Sequence, residues 1–208
     1  MLNVTDLYKE TISTYNHLGK RYIRRISRAV PRQRARFMKM FPANAKVLDV
    51  GSAGGRDSKV FARRGFQVVG IDASDVFVKE AEKYSPRVKF LRKDLRSITF
   101  PAYSFDGIWA NAVLMHLKRN ELARVLKNFY RILKSGGIVH VAVKQGRGSR
   151  LVKEILSQDR GRFFTFFTKK EIEALLCKVG FKIIYSAIAK DELKRVNVPW
   201  VVVWGQKS

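Results

Sequence analysis

The chain has 208 residues, 46% hydrophobic and 12% aromatic, enough to bury a substantial core as one domain without crosslinks. Its one cysteine, Cys177, excludes an internal disulfide and a cysteine-rich metal site and suits a reducing, cytoplasmic setting; no apolar run approaches membrane length, and the start lacks the basic-then-apolar pattern of a secretory leader. Forty-two Lys and Arg against 17 acidic residues give a net charge of +25, which favours anionic partners without requiring one.

In chain order, residues 4 to 30 read as a helix whose Leu18, Tyr22, Ile26, Ala29 and Val30 recur at spacings of three and four. Pro31 opens a second helical segment to residue 41. A strand (45–50), a helix (54–64) and a strand (67–71) follow, then a helix capped by Ser74 and Asp75 that runs to residue 84. Strands are expected at 88–91 and 105–110. Asn120 is placed to cap a helix over 121–133, the run Lys134-Ser135-Gly136-Gly137 to stop it, and 138–143 to form the fifth strand. A Gly- and Arg-rich loop (145–150), a short helix (151–156), an aromatic segment, a helix (169–179) and strands at 181–189 and 198–204 complete the pattern.

Alternating strands and helices predict a Rossmann-like, doubly wound α/β fold: a mostly parallel seven-stranded sheet with helices on both faces. The last two strands are too close in sequence for a crossover helix, so they are expected to pair antiparallel. Residues 1–208 then form a single domain, with 1–44 as an N-terminal helical cap or lid and 45–208 as the core. Cys177 is expected to be a buried structural thiol. His17 is placed at the surface or in the lid, and His140 in the packed interior of the fifth strand.

The stretch from Lys46 to Ser74 carries the main chemical signal. An apolar strand leads into Gly51-Ser52-Ala53-Gly54-Gly55, and the next strand ends on Asp72. Small residues let backbone N–H groups approach a ligand, and the acidic side chain can accept hydrogen bonds from ribose hydroxyls. A nicotinamide dinucleotide would use the same features, although the paired terminal strands argue against it.

With Lys93-Asp94-Leu95, Phe105-Asp106-Gly107-Ile108-Trp109 and Arg131-Ile132-Leu133-Lys134-Ser135-Gly136-Gly137 added, the chain resembles the class I S-adenosylmethionine-dependent methyltransferases (the type 11/25-like domain) over nearly its whole length. The resemblance implies S-adenosylmethionine as cofactor and S-adenosylhomocysteine as product. By the same resemblance, Asp49, Gly51, Ser52, Ala53 and Gly55 hold the methionine part, and Asp72, beside Ala73, binds the ribose. Asp94 meets the adenine amino group with Leu95 beside the ring, and Asn111 flanks the sulfonium. Ala53 departs from the usual glycine, which requires either a φ below zero there or flexibility from Gly54.

Methyl transfer from an activated donor needs desolvation, alignment and, for a protonated acceptor, a base. His116, just past the fourth strand, is the candidate for that catalytic role. Four phenylalanines within residues 163–167 cannot all face one core, so Phe163 and Phe164 are candidates to wall the acceptor pocket, beside Arg162 and Lys144. Thr168 with Glu171 forms a capping box. With three histidines and no clustered carboxylates, no metal is expected.

Arg21, Arg24, Arg25, Arg28 and Arg32 make a stripe opposite the apolar face, and Lys144, Arg147, Arg150, Lys153, Arg160 and Arg162 gather after the fifth strand. Three functions follow: methylation of a small anionic or aromatic molecule, methylation of an RNA such as tRNA, or a non-catalytic module serving a partner protein. Oligomeric state is open, with a monomer sufficient.

Overall fold

The structure, a computed structural model, describes residues 6–153, 157, 160–193 and 198–208. Helices α1 (Leu7–Ile26) and α2 (Arg32–Met38) precede the alternating unit β1 (Lys46–Val50), α3 (Arg56–Arg63), β2 (Gln67–Asp72), α4 (Asp75–Tyr84), β3 (Lys89–Arg92) and β4 (Phe105–Asn111). Then come α5 (Arg119–Ile132), β5 (Leu133–Lys144), β6 (Ser149–Lys153), β7 (Gly161–Thr165), α6 (Lys169–Val179), β8 (Phe181–Ala189) and β9 (Trp200–Lys207). The main sheet has the order β3-β2-β1-β4-β5-β9-β8. Strands β1 to β5 are parallel, and β9 runs antiparallel between β5 and β8.

Period-two alternation divides the sheet into two buried faces. Leu48, Val50, Ile108, Ala110, Val139, Val141, Val143, Val201 and Val203 join the core under α5 and α6. Val47, Trp109, Ile138, Ala142, Val202 and Trp204 face the opposite way, against Phe37 of α2 and Phe61 of α3. Gly107 lets α2 approach β4: a Cβ there would stand 2.8 Å from Phe41 and 3.0 Å from Phe37.

Four expectations need correction. Residues 149–153 form strand β6, not a loop and a helix, and pair antiparallel with β7; residues 154–156 of the expected helix lie outside the described residues. Helix α5 begins at Arg119 with Lys118 as its N-cap, because Glu121 at the third position accepts from the Lys118 N–H at 2.8 Å. Strand β5 starts at Leu133, with a register shift where the glycines pass. Cys177 is exposed. Helix α6 buries Ile172 and Leu176, one turn apart, and the next residue steps round to solvent. The Thr168 and Glu171 capping box is present, with Glu171 N–H donating to Thr168 Oγ1 at 3.3 Å.

Helix α1 lies beside the β6–β7 hairpin. Thr14 Oγ1 donates to the Gly161 carbonyl at 2.8 Å, and Phe163 N–H donates to Thr11 Oγ1 at 2.8 Å, so helix hydroxyls satisfy the free edge of β7. Gly19, at φ 46 and ψ −131, breaks α1 into two parts, a conformation that only glycine reaches without strain.

Candidate active site

The strand order reverses between β1 and β4, and a cavity of about 780 Å³ opens beyond the carboxyl ends of β1, β2, β4 and β5. One end is built by the turn after β1. Gly51 and Ser52 N–H both donate to the Ile71 carbonyl, at 2.8 and 3.0 Å, which folds the turn back against β2. Gly51 has φ 71, and a Cβ on it would stand 2.6 Å from Val113. Ser52 Oγ is buried with no hydrogen-bond partner among the described residues.

Ala53 adopts φ 46, so neither of the two alternatives expected for it holds: it takes the left-handed conformation itself. Gly54 is needed instead for contact, since a Cβ there would lie 2.5 Å from Ile23 of α1. Ala112, in the loop after β4, is also left-handed at φ 64. Two strained alanines therefore face the cavity from the two loops that form its floor.

Three aspartates, the buried Asp49 and Asp57 and the half-buried Asp72, stand nearby with different partners. Asp72 receives Ser74 N–H and Ala53 N–H, each at 2.9 Å; burial outweighs these donors and raises its carboxyl to about 6. Asp49 receives Ser58 Oγ–H at 2.5 Å and is raised by burial and then by the charge of Asp57. Asp57 is equally buried, yet Arg56 and then Arg34 hold it below the usual carboxylate range. Arg34 donates to it at 2.6 Å and Trp109 Nε1–H at 3.1 Å. Arg56 also donates to the carbonyls of Ile26 and Ala29 at 2.7 and 2.8 Å, tying the end of α1 to the turn.

Of the residues expected to hold the cofactor, Asp49, Gly51, Ser52, Ala53, Asp72, Ala73, Leu95 and Asn111 line this one cavity. Gly55 and Asp94 stand outside the lining. Gly55, at φ 77, is the N-cap of α3 and packs on Phe90 and Ala81. The Asp94 carboxylate is engaged by Arg96 Nε and a terminal guanidinium nitrogen at 3.0 and 2.7 Å, and Arg96 also bonds Asp6.

The other end of the cavity holds His116, Lys144, Arg162 and Phe164. His116 Nδ1 is 2.8 Å from the Phe163 carbonyl. A carbonyl only accepts, so Nδ1 carries the proton and Nε2 accepts the Tyr15 hydroxyl at 2.9 Å. Arg162 donates to the Tyr15 oxygen at 3.3 Å. Burial and then Tyr22 raise the Tyr15 hydroxyl well above its ordinary value, keeping it neutral. Lys144 Nζ stands 4.1 Å from the Phe164 ring centre and the Arg162 guanidinium 5.3 Å from it. Phe163 is buried off the cavity, and contributes its backbone to Thr11 and His116.

His140 is packed as expected, stacked on Trp109 at 3.7 Å, and it also lines the cavity. Its Nδ1 accepts Trp204 Nε1–H at 2.8 Å, leaving Nε2–H to donate to Asn111 Oδ1 at 3.3 Å; burial pushes it down to about 3. His17 is exposed. Among the described residues, no three His, Cys, Asp or Glu gather as a metal site, and no helix is long and apolar enough to cross a membrane. Tyr15 escaped the sequence reading, although it lies seven residues before Tyr22 on the same helical stripe.

A family model described as a methyltransferase domain matches residues 48–141. Over those residues the chain carries a methyltransferase domain, and it is similar there to the class I S-adenosylmethionine-dependent methyltransferases. This methyltransferase domain is 30% identical, over 170 residues, to a sterol 24-C-methyltransferase of Pneumocystis carinii, covering 74% of this chain and 44% of that protein. It is 36% identical to the 2-methyl-6-phytyl-1,4-hydroquinone methyltransferase of Synechocystis, over 53% of this chain and 36% of that one. The chain thus spans less than half the length of these two curated relatives. Among solved structures, the 1,6-didemethyltoxoflavin-N1-methyltransferase of Burkholderia thailandensis, bound to S-adenosylhomocysteine, has a TM-score of 0.76 at 21% identity, covering 97% of this chain and 87% of that one. A Methanosarcina mazei methyltransferase gives 0.75 at 22% identity, over 82% and 96%. These structures share the fold. The site fits S-adenosylmethionine on its own terms: a buried Ser52 hydroxyl and the Asp49 and Asp72 carboxylates, none with a hydrogen-bond partner (Ser52) or an ion-pair partner (Asp49, Asp72) among the described residues, and a glycine where a side chain would collide, all face one cavity.

Proposed function

We propose that the protein transfers a methyl group from S-adenosylmethionine to a small molecule carrying an anionic or aromatic group. The observation that supports it best is the pairing of buried Lys144 and Arg162 on the ring of Phe164, in the same cavity as Asp49 and Asp72. The cavity volume lies within the ~300–1,000 Å³ range of small-molecule sites. Both curated relatives described above carry names of small-molecule methyltransferases.

In this reading Asp72 accepts the ribose hydroxyls, and Asp49 and the turn from Gly51 to Ala53 hold the amino-acid end. Leu95 packs against the adenine, and Asn111 with Ala73 shapes the space around the sulfur. When bound, the sulfonium supplies an already activated methyl group. Lys144 and Arg162 hold the acceptor's anionic group, and Phe164 supports its flat face. His116 works through Tyr15: a proton leaving the acceptor passes to Tyr15 Oη while the Tyr15 proton moves to His116 Nε2. The resulting imidazolium keeps its Nδ1–H on the Phe163 carbonyl.

The RNA reading draws on the exposed arginine stripe, whereas the acceptor end of the cavity lies among buried residues. The test is transfer of labelled methyl from S-adenosylmethionine to cell extract divided into RNA and small-molecule fractions. Label in the small-molecule fraction is expected. Label in RNA alone, or in neither fraction, would overturn the proposal.

A further inference from the structure

We propose that the corner between α1 and α2, together with the end of β8, is a docking surface for an anionic lipid bilayer, through which an amphiphilic acceptor enters the cavity. This rests on the reading that the cavity receives the acceptor.

Two aliphatic side chains stand out in water at one opening. Val30 is 64% exposed and Ile188 is 54% exposed. Val30 lies between Ala29 and Pro31, both of which line the cavity, and Ile188 lines it directly. Arg32 N–H donates to the Glu192 carboxylate at 2.9 Å, which fastens the corner to the segment after β8 and places both residues beside the same mouth. Single exposed aliphatics are ordinary; two at the rim of a deep cavity are a feature.

A collar of positive charge surrounds them. Arg21, Arg24, Arg25, Arg28, Arg32 and Lys190 are all exposed, and no acidic residue occurs from Thr11 to Leu48. The two acids of the mouth are turned to local use: Glu192 holds Arg32 N–H, and Asp191 accepts Trp200 Nε1–H at 2.8 Å. Behind the rim the wall includes the apolar Ile23, Ile26, Ala187, Leu193 and Val202, beside the paired Arg56 and Asp57.

A phosphate backbone would use the arginines but has no need of exposed valine and isoleucine. Base stacking would need a free outward aromatic ring; Tyr22, on this part of α1, stacks inward on Phe77 at 5.8 Å, and the exposed Tyr84 is covered by Lys59 at 3.6 Å. A bilayer uses both features at once, with guanidinium groups among anionic headgroups and aliphatic side chains dipping below them. An amphiphile leaving the bilayer would find the apolar side chains behind the rim first, and Lys144 and Arg162 in the same cavity.

The test is co-sedimentation of the full chain with vesicles of phosphatidylcholine alone or mixed with phosphatidylglycerol. Binding to the mixed vesicles is expected, with weak or no binding to phosphatidylcholine. Val30→Asp is expected to weaken binding about tenfold and Arg28→Glu by about the same factor. Neither residue lines the cavity, so affinity for S-adenosylhomocysteine and the melting temperature report whether the variants remain intact. Absence of binding, equal binding to both vesicles, or an Arg28→Glu loss without a Val30→Asp loss would overturn the proposal. The last pattern, with tRNA displacing the vesicles, would mark a nucleic-acid surface instead. Vesicle binding needs no methyl transfer, so failure of the acceptor reading would show in the labelling experiment alone.

Discussion

Asp72 makes the proposed cofactor site testable by pH. Burial raises its carboxyl from 3.8 to about 6 in the unliganded protein, and two ribose hydroxyls donate far more strongly to the ionised form, which accepts through both oxygens. Binding therefore pulls the carboxyl back down and releases a proton near pH 6. At pH 8 the site is ready; at pH 5, one unit below the raised value, about a tenth is ionised, so affinity falls about tenfold, or about 1.4 kcal/mol. The adenine nucleoside 5′-methylthioadenosine keeps the ribose and lacks the amino-acid end, so it isolates Asp72 from Asp49. Titration calorimetry from pH 5 to 8, in buffers of different ionisation enthalpy, reads both the affinity and the released proton. Asp72→Asn should bind weakly and lose the pH dependence. The sign for folding is opposite: a raised carboxyl contributes stability that is full below about pH 4 and is lost as pH rises through about 6. The change is about 3 kcal/mol in the empty protein. A folded wild-type protein whose affinity stays flat from pH 5 to 8 would refute the assignment.

Ala53→Gly should stabilise the protein by about 0.5–1 kcal/mol, because relief of a left-handed alanine (~1–2 kcal/mol) exceeds the added freedom of the unfolded chain (~0.4–1 kcal/mol); a lower urea midpoint would contradict this. Tyr15→Phe and His116→Gln should each lower kcat about a hundredfold with unchanged affinity for S-adenosylhomocysteine, and an unaltered kcat in Tyr15→Phe would remove that hydroxyl from the proton path. Lys144→Met should raise the acceptor KM roughly ten- to a hundredfold while leaving the cofactor Kd in place, since one charge-assisted contact is lost.

The mostly parallel sheet, its antiparallel last pair and the tight turn after β1 were legible because they follow from local pattern: alternating strands and helices, a short gap between the last two strands, and small residues after a buried strand. What failed depends on partners distant in sequence. Residues 149–153 carry Arg, Leu and Lys, which suit a helix, and pairing with β7 overrides that preference. The motif around Asp94 does not show its partners either: the carboxylate is engaged by Arg96, which in turn bonds Asp6, 90 residues away from it. Cys177 was misplaced through helix phase: one step from a buried leucine is a turn of about 100°, enough to reach solvent. His116 was visible as an isolated histidine after β4, yet its tautomer and its link to Tyr15 arise only when α1 and β7 close around it.

The three aspartates of the cavity, Asp49, Asp57 and Asp72, distinguish structure from function more sharply than their positions in the sequence do. Asp57 has two guanidinium partners and an indole N–H, so its charge is neutralised and the group is complete within the fold. It anchors Trp109, which stacks on His140, and through Arg56 it holds the end of α1. Asp49 and Asp72 receive only a hydroxyl or backbone N–H groups, and both are pushed toward neutrality. A fold that sought stability alone would have paired them or replaced them with apolar residues. Without an ion-pair partner among the described residues and set at one cavity, they favour a ligand that brings what each lacks: hydroxyl donors at Asp72 and a cationic amine at Asp49. A nucleoside joined to an amino acid carries both.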